Sequence, residues 1–168
     1  MSMHDDLPLS GPSRRTVVKG AAWSVPIVAA AVATPLAAAS VVDAGAFALR
    51  GSCGVLGLLG PGFTLQAGPT TPLPVGTTIT IVGSGIADIG FFDVSGGTAN
   101  VAVLSNTSRQ VTLTSPLPAG ATIAFRTTLS ITVAFQLNAV ATLPPGYSGS
   151  GAKTGANVSS TLILCSAG

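Results

Sequence analysis

Polar and apolar positions alternate with period two along most of the chain after residue 75. That is the spacing of a strand with one face in a core and the other in water. Thr78, Thr80 and Val82 share one face, with Ile79 and Ile81 on the other. Val111 and Leu113 alternate with Gln110, Thr112 and Thr114. The clearest run sets Leu129, Ile131, Val133, Phe135 and Leu137 against Ser130, Thr132, Ala134, Gln136 and Asn138. Val101 to Leu104 and Val158 to Cys165 predict further strands, the second being the last in the chain. Phe91-Phe92 predicts a short one among the breakers Gly83, Gly85, Gly90, Gly96 and Gly97. Odd positions from Ile123 to Leu137 are apolar except Thr127. One strand from Ala121 through Leu137 would run about 56 Å at roughly 3.3 Å per residue, so a bend is expected near Arg126-Thr127-Thr128. Gly51 to Gly62 interleaves glycine with Val55, Leu56, Leu58 and Leu59, and reads as a loose edge strand or a partly buried apolar loop. No helical period follows Val42.

The segment Pro72-Leu73-Pro74-Val75-Gly76-Thr77-Thr78-Ile79-Thr80-Ile81 returns 44 positions later as Pro116-Leu117-Pro118-Ala119-Gly120-Ala121-Thr122-Ile123-Ala124-Phe125. A shorter echo is Leu143-Pro144-Pro145-Gly146-Tyr147. Proline cannot donate to a ladder and so ends the preceding strand. Pro-X-Gly then supplies a turn in which glycine takes positive φ. The offset is short for a duplicated domain, so the copies predict equivalent turns within one domain. A Leu-Pro-X-Gly turn before a Thr-rich strand resembles turns in bacterial surface immunoglobulin-like domains. With the strand pattern, the resemblance implies an all-β fold after an N-terminal signal helix: a two-sheet immunoglobulin-like sandwich of about seven to nine strands.

The N-terminus has a different character. Met1 to Lys19 is polar and ends in Arg14, Arg15 and Lys19, Gly20 to Pro35 is apolar, and Ala37-Ala38-Ala39 follows. Basic, apolar and small-residue regions in that order form an export signal. Ser13-Arg14-Arg15-Thr16-Val17-Val18-Lys19 resembles twin-arginine (Tat) signals, departing at Val17, where such signals more often carry Phe. The stretch on to Pro26 is similar to the start of small actinobacterial exported proteins. The resemblance implies the Tat translocase and signal peptidase as partners during export. Signal peptidase would read Ala37 and Ala39 and cut before Ser40. This divides the chain into a signal peptide, 1–39, and a β domain, 40–168. The alternative is a retained anchor, since Gly20 to Val42 carries no charge and 23 helical residues could cross a membrane. Its alanine content, Pro26 and Pro35 weigh against that. Either way the basic end stays in the cytoplasm and the rest lies outside, secreted or in the cell envelope.

Residues 40–168 are poor in charge. They hold Arg50, Arg109, Arg126 and Lys153 against Asp43, Asp88 and Asp93, a net of +1. Solubility then rests on Thr, Ser and Asn, or a cell-wall or protein partner covers part of the surface. No basic patch exists to bind nucleic acid. The chain has no Glu, and its one His, His4, travels with the signal, as does its one Trp, Trp23. A domain without imidazole and with three carboxylates lacks the usual general bases, and the expectation is a non-enzyme without cofactor. Cys53 and Cys165 predict a disulfide in an oxidising compartment. Two cysteines without histidine cannot complete a zinc site.

The remaining motifs are weak. Ser150-Gly151-Ala152-Lys153 and Lys153-Thr154-Gly155 match the Ser-x-x-Lys and Lys-Thr-Gly patterns of penicillin-recognising enzymes, but share one lysine in a glycine-rich segment that reads as a flexible hairpin loop. Gly83-Ser84-Gly85 is a turn rather than a dinucleotide fingerprint, because Asp88 stands where the third glycine belongs. Asp88 and Asp93 are candidate ligands for a weak cation site or else solvated loop acids. The expected role is a structural or interaction one. The alternatives are a membrane-associated oligomeric β protein, which low charge permits, and a Ser150–Lys153 hydrolase.

Overall fold

The alternating stretches become strands wherever a neighbouring strand takes up their backbone groups. In the computed structural model these are β1 (Val42–Asp43), β2 (Ala48–Ser52), β3 (Gly62–Gln66), β4 (Thr78–Ser84), β5 (Phe92–Ser95) and β6 (Ala99–Ser105). They continue as β7 (Ser108–Leu113), β8 (Thr122–Thr127), β9 (Phe135–Thr142), β10 (Tyr147–Ser148), β11 (Gly155–Ser160) and β12 (Cys165–Ala167). The structure describes residues 40–55, 59–130, 132–162 and 164–168. The expected signal helix, with Arg14, Arg15, Lys19, Ala37 and Ala39, lies outside the described residues, and Ser40 is the first of them.

Two main sheets form. The larger has the order β12-β11-β9-β4-β7-β6 and the smaller the order β2-β3-β8-β5, all antiparallel, while β1 and β10 make a short parallel pair. Their inward faces meet in one apolar cluster. Leu49, Phe63, Leu65, Ile123 and Phe125 come from the smaller sheet, and Ile79, Ile81, Val111, Leu137 and Val158 from the larger. Each such side chain contributes about 1.5–3 kcal/mol on burial. The fold is therefore all-β, and the alternation assigns the faces correctly in β4 and β7, where Ile79, Ile81, Val111 and Leu113 are buried.

The repeated segments are two of the places where the chain changes sheets. β3 leads through the first copy into β4 of the other sheet, and β7 leads through the second copy into β8 of the first. In each copy the residue after glycine closes the turn: Thr77 N donates to Pro74 O at 3.3 Å and Ala121 N to Pro118 O at 3.0 Å. Gly76 and Gly120 take φ of 83° and 72°, a region where a side chain is strained. The two crossings then bond to each other. Leu73 N donates to Leu117 O at 2.9 Å, and Leu117 N to Leu73 O at 3.0 Å. Both leucines are buried. The echo closes alike, with Tyr147 N donating to Pro144 O at 3.3 Å.

Three expectations change. The run from Leu129 does not begin a strand. β8 ends at Thr127 and β9 starts at Phe135, continuing to Thr142 rather than Asn138. Thr127, the polar exception among the odd positions, makes the corner: its hydroxyl donates to the Ile89 carbonyl and accepts from Leu129 N. The last strand also breaks in two. Thr161 N donates to Leu164 O at 2.9 Å, Leu162 takes a φ of 71°, and Cys165 returns opposite Ser160. Finally, the Ser150–Lys153 segment is not a free loop. Tyr147 and Ser148 pair with Val42 and Asp43, Ser150 N donates to Asp43 Oδ1 at 3.0 Å, and Lys153 N donates to Phe47 O at 2.9 Å. With Gly45 N and Ser150 as donors, the Asp43 carboxyl lies below its ordinary range, the Ser150 backbone bond being the larger cause.

Candidate functional site

The sheet registers put one set of connections at one end of the domain. Ser84 lies opposite Gln136, Ser160 opposite Phe135 and Cys165, and Ser52 beside Gly62, which lies beside Arg126. The Cys53–Cys165 disulfide joins the two sheets there, with Cα atoms 5.8 Å apart and 112 residues between them in sequence. Glycine permits the close approach: a Cβ at Gly51 would run into the Asn157 carbonyl, and Gly51 N instead donates to Gly168 O at 3.1 Å. Closing a loop of this size stabilises by about 4–5 kcal/mol on the chain-entropy argument.

The connections at this end touch one another in series. The disulfide ties the base of the β11–β12 turn to the β2–β3 connection. In the latter, Val55 and Leu59 exchange backbone bonds at 2.8 and 2.9 Å. Gly60 sits against the Thr127 and Leu129 carbonyls, and Thr128 N donates to Phe91 O at 3.1 Å. Ile89 N then donates to Asn106 O at 3.0 Å, reaching the β6–β7 turn. Along this rim apolar side chains face outward: Phe91 is 78% exposed, Leu164 77%, Val103 63% and Leu162 60%. Leu104, Leu59, Val55 and Val133 are about half exposed.

The rim carries almost no free charge. Arg109 is buried, and its guanidinium donates to the carbonyls of Ser105, Asn106 and Ser108. It also pairs with Asp88 Oδ1 at 3.1 Å. Asp88 in turn accepts from Gly90 N at 2.7 Å. The ion pair thus fixes the β4–β5 connection onto the β6–β7 turn. Asp93 belongs to a different group, across β5–β8 from Arg126. One Arg126 nitrogen is buried without a hydrogen-bond partner, and this desolvation pushes the guanidinium below its ordinary value. Among the described residues no group of three or more His, Cys, Asp or Glu side chains could hold a metal.

The predicted residues fall out accordingly. Cys53 and Cys165 are brought together. Asp88 is held by Arg109, whereas Asp93 lies opposite Arg126 in the β5–β8 register. Ser150 and Lys153 are tied to Asp43 and Phe47 through their backbones at the far end of the domain. A 330 Å³ cleft near them is lined by Phe47, Leu143, Tyr147 and Thr154 among others, without a carboxylate or imidazole. Sequence reasoning misses the rim. Alternation that continues past the end of β8 assigns Leu129 and Val133 to a strand, and an aliphatic run does the same for Leu162 and Leu164. The signal available is that three consecutive aliphatic residues, Leu162-Ile163-Leu164, break the period-two rule.

No protein-family model matches the chain, and no curated protein matches it.

Proposed function

We propose that this protein is exported, by the twin-arginine route read from Arg14 and Arg15, and that residues 40–168 act as a non-catalytic domain of the cell envelope or the secreted fraction. Its role is structural or adhesive, exercised through the rim at the disulfide end. The observation that carries the reading is the Cys53–Cys165 disulfide, a bond that persists in oxidising compartments. The domain is proposed to be an immunoglobulin-like sandwich. In support, β2-β3-β8-β5 follows the A-B-E-D order and β4-β9-β11 the C-F-G order, with the β6–β7 hairpin inserted ahead of the E strand.

Fractionation of the native host with intact-mass measurement tests this. The expected species lies outside the cytoplasm, starts at Ser40 and is about 2 Da lighter than its reduced form, one hydrogen having left each thiol. Replacing Arg14-Arg15 by Lys-Lys should strand the protein in the cytoplasm. Export of that variant at the normal level would remove the twin-arginine route, and a cytoplasmic, reduced wild-type protein would remove the whole reading.

A further inference from the structure

We infer that the rim at the disulfide end is a lipid-contact surface, whose side chains Phe91, Leu162, Leu164, Val55, Leu59 and Val133 enter the interfacial zone of a bilayer. The inference rests on the interaction role proposed above and names its partner.

Four observations favour a lipid surface over a folded protein. First, the apolar side chains stand on separate turns linked edge to edge, not on one flat sheet face, and Phe91 and Leu164 leave more than three-quarters of their surface in water. Second, these turns carry no unpaired charge. Their one acid, Asp88, is matched by Arg109, and the polar residues between the tips are hydroxyls such as Thr128, Ser130, Thr132 and Thr161, which suit a headgroup layer. Protein interfaces instead enrich Tyr, Trp and Arg anchors inside a polar rim. Third, backbone groups flanking two of the turns are paired. Val55 and Leu59 bond reciprocally, and Thr161 N donates to Leu164 O, so these groups need no water when the dielectric falls. Fourth, the disulfide holds the bases of the two tips side by side, so little ordering is required on docking. β1, the first strand of the domain, pairs with β10 at the opposite end, so the rim is not the end at which the chain enters the domain.

Because the charge carried by the rim's turns is the matched Asp88–Arg109 pair, attraction to anionic lipid is minor, and binding should be insensitive to salt. The test uses the full chain purified from its host, with its N-terminus identified by mass. It compares wild type with Leu162→Ser/Leu164→Ser in flotation with phosphatidylcholine vesicles and with phosphatidylcholine–phosphatidylglycerol vesicles. Any leader is common to both proteins. The expected result is equal flotation on both vesicles, unchanged by salt, with at least tenfold weaker partitioning of the double variant. Phe91→Trp should show emission quenched by brominated acyl chains, with Trp23 emission subtracted using the unsubstituted protein where the leader is present. Equal flotation of wild type and variant, or unquenched emission from the Phe91→Trp protein, overturns the inference. So does sedimentation equilibrium showing that the rim joins two copies of the chain while vesicles are ignored. Host fractionation reads export and vesicle binding reads the rim, so either proposal can fail alone.

Discussion

The two ends of the β domain close the same sheets by different means. At the turn end, the chain crosses between the main sheets three times, and two of the crossings bond to each other through Leu73 and Leu117, both of which are buried. At the disulfide end, the chain also crosses between the sheets, through the β4–β5 and β8–β9 connections, a covalent bond joins them as well, and Leu162 and Leu164 project outward. The same residue type is thus structural at one end and surplus to folding at the other. Where hydrogen bonds close the fold, leucine must seal them from water. Where a disulfide adds a covalent tie, aliphatic side chains beside it are free to face something else. Hydrophobicity alone does not separate the cases; the backbone partner does.

The comparison is most severely tested at the covalent link. Cys53→Ser/Cys165→Ser should lower stability by about 4–5 kcal/mol, measured by urea unfolding. A loss under about 1 kcal/mol would mean that non-covalent contacts already close both ends. Next in size is the leucine contrast. Leu117→Ala should cost about 3–4 kcal/mol, within the range for buried leucine. Leu164→Ala should stay within about 0.5 kcal/mol. Leu73→Ala and Leu117→Ala should also be non-additive, because they share a contact. Equal losses at Leu117 and Leu164 would erase the distinction between the ends.

Much of the turn end is legible without coordinates. The repeated Leu-Pro-X-Gly segments announce turns, since proline removes a donor and glycine permits positive φ. The alternation at Ile79, Ile81, Val111 and Leu113 assigns faces because both strands are paired on each side. That the two repeats pair with each other cannot be read, because sequence similarity says nothing about which backbones meet. The disulfide end misleads for a related reason. Period two is a necessary mark of a half-buried strand, not a sufficient one. From Leu129 onward the alternation continues, although the chain has left the sheet at Thr127. Cys53 and Cys165 pair by elimination, which works only because two cysteines allow one bond. The parallel pairing of β1 with β10 involves two residues from each strand and leaves no periodic trace.

A smaller effect is expected from the turn glycines. Gly76→Ala keeps every side-chain contact but forces alanine into positive φ at 83°. Open space surrounds Gly120, so Gly120→Ala reports the backbone strain alone, about 1–2 kcal/mol. A loss at Gly76 that matches Gly120 would show that the copies are energetically as well as geometrically equivalent. A Gly120→Ala protein as stable as wild type would show that the second turn tolerates a side chain and that the leucine bridge alone sets the geometry.

The smallest effect concerns Asp43, which ties β1 to the Ser150 segment at the turn end. Its carboxylate accepts from Ser150 N and Gly45 N, and these bonds hold its pKa below the ordinary 3.8. A depressed folded-state value means that the folded protein binds the proton less readily than the unfolded chain. The stabilisation is therefore complete above the unfolded pKa and disappears as pH falls through the folded one. Asp43→Asn keeps an acceptor oxygen but removes the charge. Wild type should exceed the variant in urea midpoint at neutral pH, and the gap should close progressively below about pH 4. The group is fully exposed, so the gap should be slight and should shrink in salt. At the disulfide end, the exposed Asp88 is a partner in an ion pair with the buried Arg109. Asp88→Asn should instead loosen the β4–β5 connection, and with it the placement of Phe91, without opening the turn end. Amide exchange at Gly90 and Thr128, compared with Leu73 and Leu117, would read this directly. Faster exchange at the first pair alone is the expected pattern, and simultaneous loss of protection at both would mean that the ends are one cooperative unit.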